Sequence, residues 1–293
     1  MPAHLSAFVA ALAAVSIVGA SGCSNPAPSP PVATIAVSVD RPVVDAGAPL
    51  DLHFRFSGVA GAPTPPADTW VFVHLLDDGG TLLWTDDHEP PRPASQWGST
   101  PVDYTRTMFV PRLGYRGRVR VEAGLFSRGN GTRLPLDGSE SGERAYTVAS
   151  FEVAPPSSEV FVVYGDGWYG AERSEGDTLR AWRWSSAAAR LSFRDPGGDA
   201  VLTLELDQPV AEAGPRTVDV RIGSESLGRL AVAAGAPRRA YRLRLGPDRG
   251  ASGSTVDVDV AVTPTFVPSA LPGLSSADSR ELGVRLFNVH VGR

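Results

Sequence analysis

The sequence contains no lysine and only one cysteine. All 27 basic residues are arginine, and with 32 acidic residues the formal charge is −5. The net charge is negative and the sequence has no cluster of basic residues, and both features argue against a nucleic-acid partner. One cysteine cannot form a disulfide within the chain, so the fold depends on burial of apolar side chains. A chain of 293 residues, 42% of them hydrophobic, is long enough to bury two cores.

The sequence also lacks an apolar run long enough to cross a bilayer. Its apolar stretch over residues 5–18 is shorter than the roughly 20 residues of a transmembrane helix, and small residues follow it. This arrangement predicts an export signal over residues 1–22.

Residues 20–23, Ala-Ser-Gly-Cys, resemble the lipobox of bacterial lipoproteins. The resemblance implies that Cys23 is acylated, that the chain is lipid-anchored in the cell envelope, and that Ser24 after the cysteine favours the outer over the inner membrane. An ordinary secretory signal followed by an unrelated cysteine is the alternative. Residues 23–33 are rich in proline, which predicts an extended tether between the membrane and the folded part.

No amphipathic helix of useful length is present. Short runs rich in Val, Leu, Phe and Tyr are separated by Gly, Pro, Asp and Asn about every ten residues, a pattern typical of β-sandwiches. The sequence therefore predicts an all-β chain with two β-sandwich domains. We expect an immunoglobulin-like sandwich over residues 34–154 and a jelly-roll-like sandwich over residues 159–293, with a proline-rich linker between them.

Both halves resemble known modules. Residues 71–77, Trp97, residues 124–126 and residues 133–135 resemble a β-sandwich found C-terminal in bacterial membrane glycosyltransferases of the mannosyltransferase type. The second half, through residues 167–169 among others, is similar to a poorly characterised β-sandwich associated with glycan-modifying enzymes. These resemblances imply the fold and an envelope setting, and they transfer no catalytic residue.

No catalytic motif supports an enzyme. Gly-x-Ser-x-Gly, His-Glu-x-x-His and the phosphate-binding Gly-x-x-x-x-Gly-Lys are absent. Residues 165–170 have the spacing Gly-x-Gly-x-x-Gly, but the segment after them is too short for the helix that a dinucleotide site needs. We therefore expect no cofactor and no catalysis. Paired carboxylates that meet only in the folded chain leave a glycan-active enzyme as the less favoured alternative.

Residues 86–89, Asp-Asp-His-Glu, resemble a set of metal ligands. The candidates are His74, Asp86 and His88, since only alternate residues of a strand share a face. A solvated strand end that binds no metal is the preferred interpretation.

The glycine-rich loop suggests a ligand site. Sugar rings stack on aromatic side chains and exchange hydrogen bonds with charged neighbours, which the sequence offers in Trp168, Tyr169, Asp166, Glu172 and Arg173. Packing in the core is the alternative for these aromatics, and the preferred interpretation for Trp182 and Trp184, which share a strand face.

Arg280 has two interpretations. It either clamps a ligand anion or pairs with Glu281 to fix its loop, the latter being preferred.

These features together predict a non-catalytic, membrane-anchored binding or accessory module with a glycan as the favoured ligand. A structural lipoprotein that binds an envelope protein and no small molecule is the alternative.

Overall fold

The computed structural model describes residues 29–156, 160–174, 180–246, 249 and 252–292. The predicted export signal, Cys23 and the first part of the tether lie outside the described residues. Within the described ranges, helical structure is limited to three short 3₁₀ turns, and no helix has the length and apolar character that crossing a bilayer requires.

The first sandwich is built from eleven strands. They are β1 (Ala33–Val39), β2 (Val43–Asp45), β3 (Pro49–Gly58), β4 (Thr69–Leu76), β5 (Leu82–Thr85), β6 (Val102–Phe109), β7 (Gly117–Ser127), β8 (Arg133–Leu134), β9 (Leu136–Asp137), β10 (Glu140–Gly142) and β11 (Ala145–Ala154).

Two sheets form this sandwich. One has the strand order β6-β3-β1-β9, and the other has the order β10-β11-β7-β4-β5, with β2 and β8 added to β11 and β7. The core lies between them and includes Leu52 and Phe54 from one sheet and Val73 and Val121 from the other.

Within the residues that the structure describes, the second sandwich has ten strands in two five-stranded sheets. Its strands are β12 (Val163–Tyr164), β13 (Glu172–Arg173), β14 (Ala181–Trp184), β15 (Ala188–Arg194), β16 (Ala200–Asp207), β17 (Arg216–Ile222), β18 (Glu225–Val232), β19 (Arg239–Leu245), β20 (Thr255–Thr263) and β21 (Arg285–Gly292). The sheet orders are β12-β15-β20-β17-β18 and β13-β14-β21-β16-β19.

Strand β20 shows how the sequence builds this sandwich. Val256, Val258 and Val260 are 3% exposed or less and face the core, as the period of two along a strand requires. Asp257 and Asp259 point to the other face, where they accept hydrogen bonds from Ser192 and Arg190 of β15. These aspartates therefore lie on the wet face of the strand.

The all-β, β-sandwich prediction is confirmed. The first sheet pair uses strands of residues 33–154 and the second pair strands of residues 163–292. The domain boundaries themselves stay a prediction. Strands β2, β8, β9, β10, β12 and β13 have only two or three residues each.

Ion pairs join the two sandwiches. Asp51 of β3 accepts two hydrogen bonds from Arg242 of β19, at 2.7 and 2.8 Å. Nearby, Arg238 of the second sandwich lies 4.0 Å from Asp86 of the first and 3.3 Å from Glu205 of its own sandwich. The outer face of the sheet β13-β14-β21-β16-β19 therefore meets the first sandwich through charged side chains.

Candidate functional site

The outer face of the sheet β13-β14-β21-β16-β19 carries an unusual set of charged and aromatic side chains. On β16 the leucines Leu202, Leu204 and Leu206 face the core and are at most 1% exposed, so the residues that alternate with them along the strand lie on the opposite face. Those residues include Glu205 and Asp207, which are only 5% and 6% exposed. Buried carboxylates require partners, and β21 supplies them.

Arg285 of β21 is the centre of this face. It donates two hydrogen bonds to Asp207, at 2.7 and 2.6 Å, which fixes the plane of the guanidinium. The guanidinium carbon lies 4.7 Å from the centre of the Trp182 ring and 5.0 Å from that of Phe287. Glu205 is held in turn by Asn288, whose amide donates to it at 2.6 Å.

Trp182 and Phe287 are the aromatic components of the face. Their ring centres are 5.9 Å apart, and both side chains are partly exposed. We use the name aromatic strip for Trp182, Arg285, Phe287 and Asp207. It combines apolar ring surface with a guanidinium and a carboxylate that are already held in place, as ligand sites for polar molecules do.

A second cluster adjoins the strip at β13. Glu172 accepts a hydrogen bond from the indole N–H of Trp182 at 3.2 Å and forms an ion pair with Arg280 at 2.8 Å. Arg280 also pairs with Asp278, and the hydrogen bonds to this carboxylate raise the pKa of Arg280 above its ordinary value. The guanidinium carbon of Arg280 lies 5.0 Å from the Tyr169 ring centre.

The expected pairing of Arg280 with Glu281 is wrong. Glu281 instead accepts a hydrogen bond from the Thr265 hydroxyl, and Asp278 is better placed because its carboxylate also accepts the Arg280 backbone N–H.

The structure divides the five predicted ligand residues into two groups. Trp168 donates its indole N–H to the Arg190 carbonyl at 2.9 Å and packs edge-on against Tyr164, next to the second core. Asp166 lies on this side too, where its carbonyl accepts the Arg190 backbone N–H.

The other group lies beside the aromatic strip. Tyr169 donates its hydroxyl to the Glu281 carbonyl at 2.9 Å, and Glu172 contacts Trp182 as described. Arg173 follows Glu172 on β13 and is exposed. The structure thus brings Tyr169 and Glu172 together with Trp182, while Trp168 and Asp166 face a different part of the sandwich.

The glycine-rich loop has a packing role at one position. Gly167 has a φ of +82°, and a Cβ there would lie 1.9 Å from the Ala188 carbonyl oxygen. Only glycine fits such a close approach. The loop leads into strand β13 rather than into a helix, so the fold around it differs from that of a dinucleotide site.

The metal-like residues are engaged in other contacts. His88 is buried and shares hydrogen bonds with the Tyr104 hydroxyl at 2.8 Å and the Asp86 carbonyl at 2.9 Å. The Asp86 carboxylate is held by Arg106, and His74 lies beside the Phe72 ring. Across the part of the chain that the structure describes, no group of three potential ligands is close enough to hold a metal ion.

No family model matches the chain. No curated protein matches it either. Among solved structures, the alkylpurine DNA glycosylase AlkC of Pseudomonas fluorescens, bound to DNA containing an abasic site analog, has a TM-score of 0.27 and 17% identity over 43% of this chain and 31% of the glycosylase.

Two carbohydrate-binding modules are also similar. The C-terminal family 6 module of a laminarinase from Zobellia galactanivorans has a TM-score of 0.26 and 11% identity, covering 46% of this chain and 99% of the module. A module of Cellvibrio mixtus lichenase 5A in complex with cellotriose has a TM-score of 0.27 and 12% identity, covering 44% and 88%. Because these TM-scores lie below 0.5, the likenesses assign neither a family nor a ligand to this chain.

Sequence reasoning did not identify Asp207, Arg285 and Phe287. For Asp207, the sequence does contain a signal: acidic residues alternate with leucines along β16, which indicates a polar face opposite the core. Arg285 and Asp207 are separated by 78 positions, so their contact required the strand pairing of β16 with β21.

Proposed function

We propose that this chain is a non-catalytic glycan-binding module of the cell envelope, held at the membrane by an acylated Cys23. The observation that carries the proposal is the aromatic strip. Trp182 and Phe287 keep part of their ring surface exposed while Arg285 and Asp207 fix a donor and an acceptor beside them.

Sugars suit this combination chemically. Each ring has apolar C–H faces that pack on aromatic side chains, and hydroxyl groups at its edge that both donate and accept hydrogen bonds. The guanidinium of Arg285 supplies donors, and the carboxylates of Asp207 and Glu172 supply acceptors. Because ion pairs already hold these groups, a ligand orders few side chains on binding, which reduces the entropy cost.

The same contacts support a binding role over a catalytic one. Asp207 is held by Arg285, Glu205 by Asn288 and Glu172 by Arg280. A glycoside hydrolase needs one carboxylic acid free to give a proton and one carboxylate free to attack or to activate water. The carboxylates of this face serve instead to orient neighbouring donors.

Binding of the purified full-length chain to a glycan array, followed by calorimetric titration of the bound glycans, tests this function. We expect Trp182→Ala and Phe287→Ala each to weaken binding at least about tenfold. Trp70→Ala is the matched control, because Trp70 also lies under an arginine, Arg128, but belongs to the first sandwich. Equal loss of binding in all three variants, or none in any, would contradict the proposal.

A protein-binding role is the second candidate. Val163 lies in β12, at the edge of a sheet, and is 50% exposed. Phe161, two residues earlier, is 78% exposed. An exposed apolar sheet edge is a surface that can pair with another chain. Two results together would favour this candidate. Wild type would form a cross-link to an envelope protein that Phe161→Ser does not form, and wild type would bind no glycan on the array.

A further inference from the structure

A groove of about 350 Å³ lies on the surface where the two sandwiches meet. Its walls include Glu89 and Pro91, which follow β5, residues 104–107 of β6, and residues 238–240 at the start of β19. We use the name junction groove for it. Sites for small ligands have volumes of about 300–1,000 Å³, so the junction groove is large enough to be one.

The junction groove follows an open edge of β6. This strand is the last of its sheet and pairs with β3 on one side. Along an antiparallel pair, residues that bond to the partner strand alternate with residues whose backbone groups point away from it. Val110 donates its backbone N–H to the Ala48 carbonyl, so the even-numbered residues of β6 bond to β3. The backbone groups of Thr105 and Thr107 therefore point away from β3, on the side of the groove, and no described residue hydrogen-bonds to them.

Two charged side chains of the groove are available to a ligand. Arg239 and Glu89 are exposed, and neither forms an ion pair with another described residue. The other two arginines of the wall, Arg106 and Arg238, are already paired with buried carboxylates. The groove thus offers one free cationic donor and one free carboxylate acceptor, and this balance favours a neutral polar ligand.

The junction groove adjoins the aromatic strip. The register of β16 with β19 places Asp207 beside Arg238, and on its other side Asp207 pairs with Arg285 of β21. These three charged residues form a row across neighbouring strands. The guanidinium carbon of Arg238 also lies 5.6 Å from the centre of the Phe287 ring. Arg238 is therefore a boundary that the strip and the groove share.

The groove has room for a sugar ring with its hydroxyl groups. A cavity of about 150 Å³ holds benzene. A pyranose has about twice as many non-hydrogen atoms as benzene, and the junction groove has more than twice that volume. The hydroxyl groups of a sugar both donate and accept hydrogen bonds, as do the groups that the groove presents to them.

We propose that the junction groove binds part of a neutral glycan chain whose other rings lie on the aromatic strip, so that both sandwiches hold one ligand. The inference rests on the proposed function and adds the substrate class, a chain of several uncharged sugar rings. From Trp182 on β14 to Arg238 at the start of β19, the site crosses three strand spacings, or about 14 Å, before the groove begins. Affinity should therefore depend on chain length.

The test is calorimetric titration of the purified full-length chain with a series of one array-selected neutral glycan, from one to six rings. We expect the six-ring member to bind at least about tenfold more tightly than the two-ring member, because only the longer chain fills the groove. Glu89→Gln and Arg239→Met should each lower this ratio of affinities at least about threefold. Arg244→Met is the control and should leave the ratio as in wild type, because Arg244 is exposed on β19 and does not line the groove.

A second measurement needs no variant. In a nuclear magnetic resonance titration of wild type, the backbone N–H signals of Thr105 and Thr107 should shift with the six-ring member and stay in place with the two-ring member. The indole N–H signal of Trp182 should shift with both. The thermal midpoint verifies that each variant is folded, and if both groove variants unfold, this titration decides.

Three results would each overturn the inference and leave the proposed function standing. The first is equal affinity for the two-ring and six-ring members while Trp182→Ala still weakens binding. The second is a ratio of affinities that both groove variants retain in full. The third is a six-ring glycan that shifts Trp182 and neither Thr105 nor Thr107. Binding of charged glycans alone would overturn the neutral substrate class. If no arrayed glycan binds, the proposed function and this inference fail together.

Discussion

Arg242 and Asp51 lie 191 positions apart in the chain and meet at the junction of the two sandwiches through two hydrogen bonds of 2.7 and 2.8 Å. Burial raises the pKa of Asp51, but hydrogen bonds from Arg242 and Thr107 outweigh it, so the net pKa is below its ordinary value. This pair therefore helps to hold one sandwich in position against the other.

Arg242→Ala should loosen the junction. The substitution leaves the carboxylate of Asp51, which is 8% exposed, without its cationic partner, and we expect a loss of about 1–3 kcal/mol in the free energy of unfolding. Chemical denaturation followed by tryptophan fluorescence measures it. The control is Arg229→Ala, whose pair with Asp219 is exposed and should contribute less than about 1 kcal/mol. Equal losses of unfolding free energy in the two variants would show that the junction pair contributes no more to stability than an exposed ion pair.

The stability of the first sandwich should depend on His88 below neutral pH. Burial, with a smaller contribution from the charge of Arg106, lowers the pKa of His88 to about 4. The unfolded chain takes up this proton near pH 6.5, about 2.5 units earlier, so acid favours unfolding. The contribution is fully present above pH 6.5, falls as the pH drops towards 4, and changes by on the order of 3 kcal/mol in total.

His88→Gln removes this titration. The free energy of unfolding of the variant, measured by denaturation between pH 4 and 7, should therefore vary less with pH than that of wild type. Identical profiles for wild type and His88→Gln would contradict the burial of a neutral imidazole.

Gly167→Ala should destabilise the second sandwich. The added Cβ would lie 1.9 Å from the Ala188 carbonyl oxygen, at a φ that other residues rarely adopt, so the loop and β15 must move apart. We expect a loss of more than about 2 kcal/mol, measured as a shift in the thermal midpoint. Gly170→Ala is the matched control in the same loop, because its Cβ meets no atom within 4 Å. A Gly167→Ala protein as stable as wild type would show that the close contact of residue 167 with the Ala188 carbonyl oxygen is not required.

Cys23→Ser should release the chain from the membrane. The residue lies outside the described part of the structure, and its acylation is implied by the lipobox resemblance of residues 20–23. Several acyl chains are needed for durable anchoring, so loss of the thiol should move the protein to the soluble fraction. Fractionation and mass spectrometry of the N-terminal peptide measure the outcome. An unmodified Cys23 in a soluble wild-type protein would contradict the anchor.

The main strands were predictable because their signals are local. Alternation of apolar and polar residues, as in β20, and turns with glycine at positive φ, such as Gly80 and Gly131, indicate strands and the connections between them. Strands of two or three residues, such as β8 and β13, carry too few positions for such a pattern. They form because a neighbouring strand presents free backbone groups to them.

The candidate site was predictable only in part. Tyr169 stands out in the sequence because it lies in a glycine-rich loop, and Glu172 because it follows that loop directly. The partners that complete the site are brought in by strand pairing, as when β14 pairs with β21 and places Arg285 opposite Trp184. Such contacts depend on register between distant segments, which a single sequence does not specify.

The most direct test of the glycan-binding account is a nuclear magnetic resonance titration with an array-selected glycan, observing the six indole N–H signals of the full-length chain. Single Trp→Phe variants assign each signal. The account predicts a saturable shift of Trp182, while Trp70 and Trp97 in the first sandwich stay unchanged. Saturable binding that shifts Trp168 and leaves Trp182 in place would contradict the site, and no shift with any array-selected glycan would contradict the function.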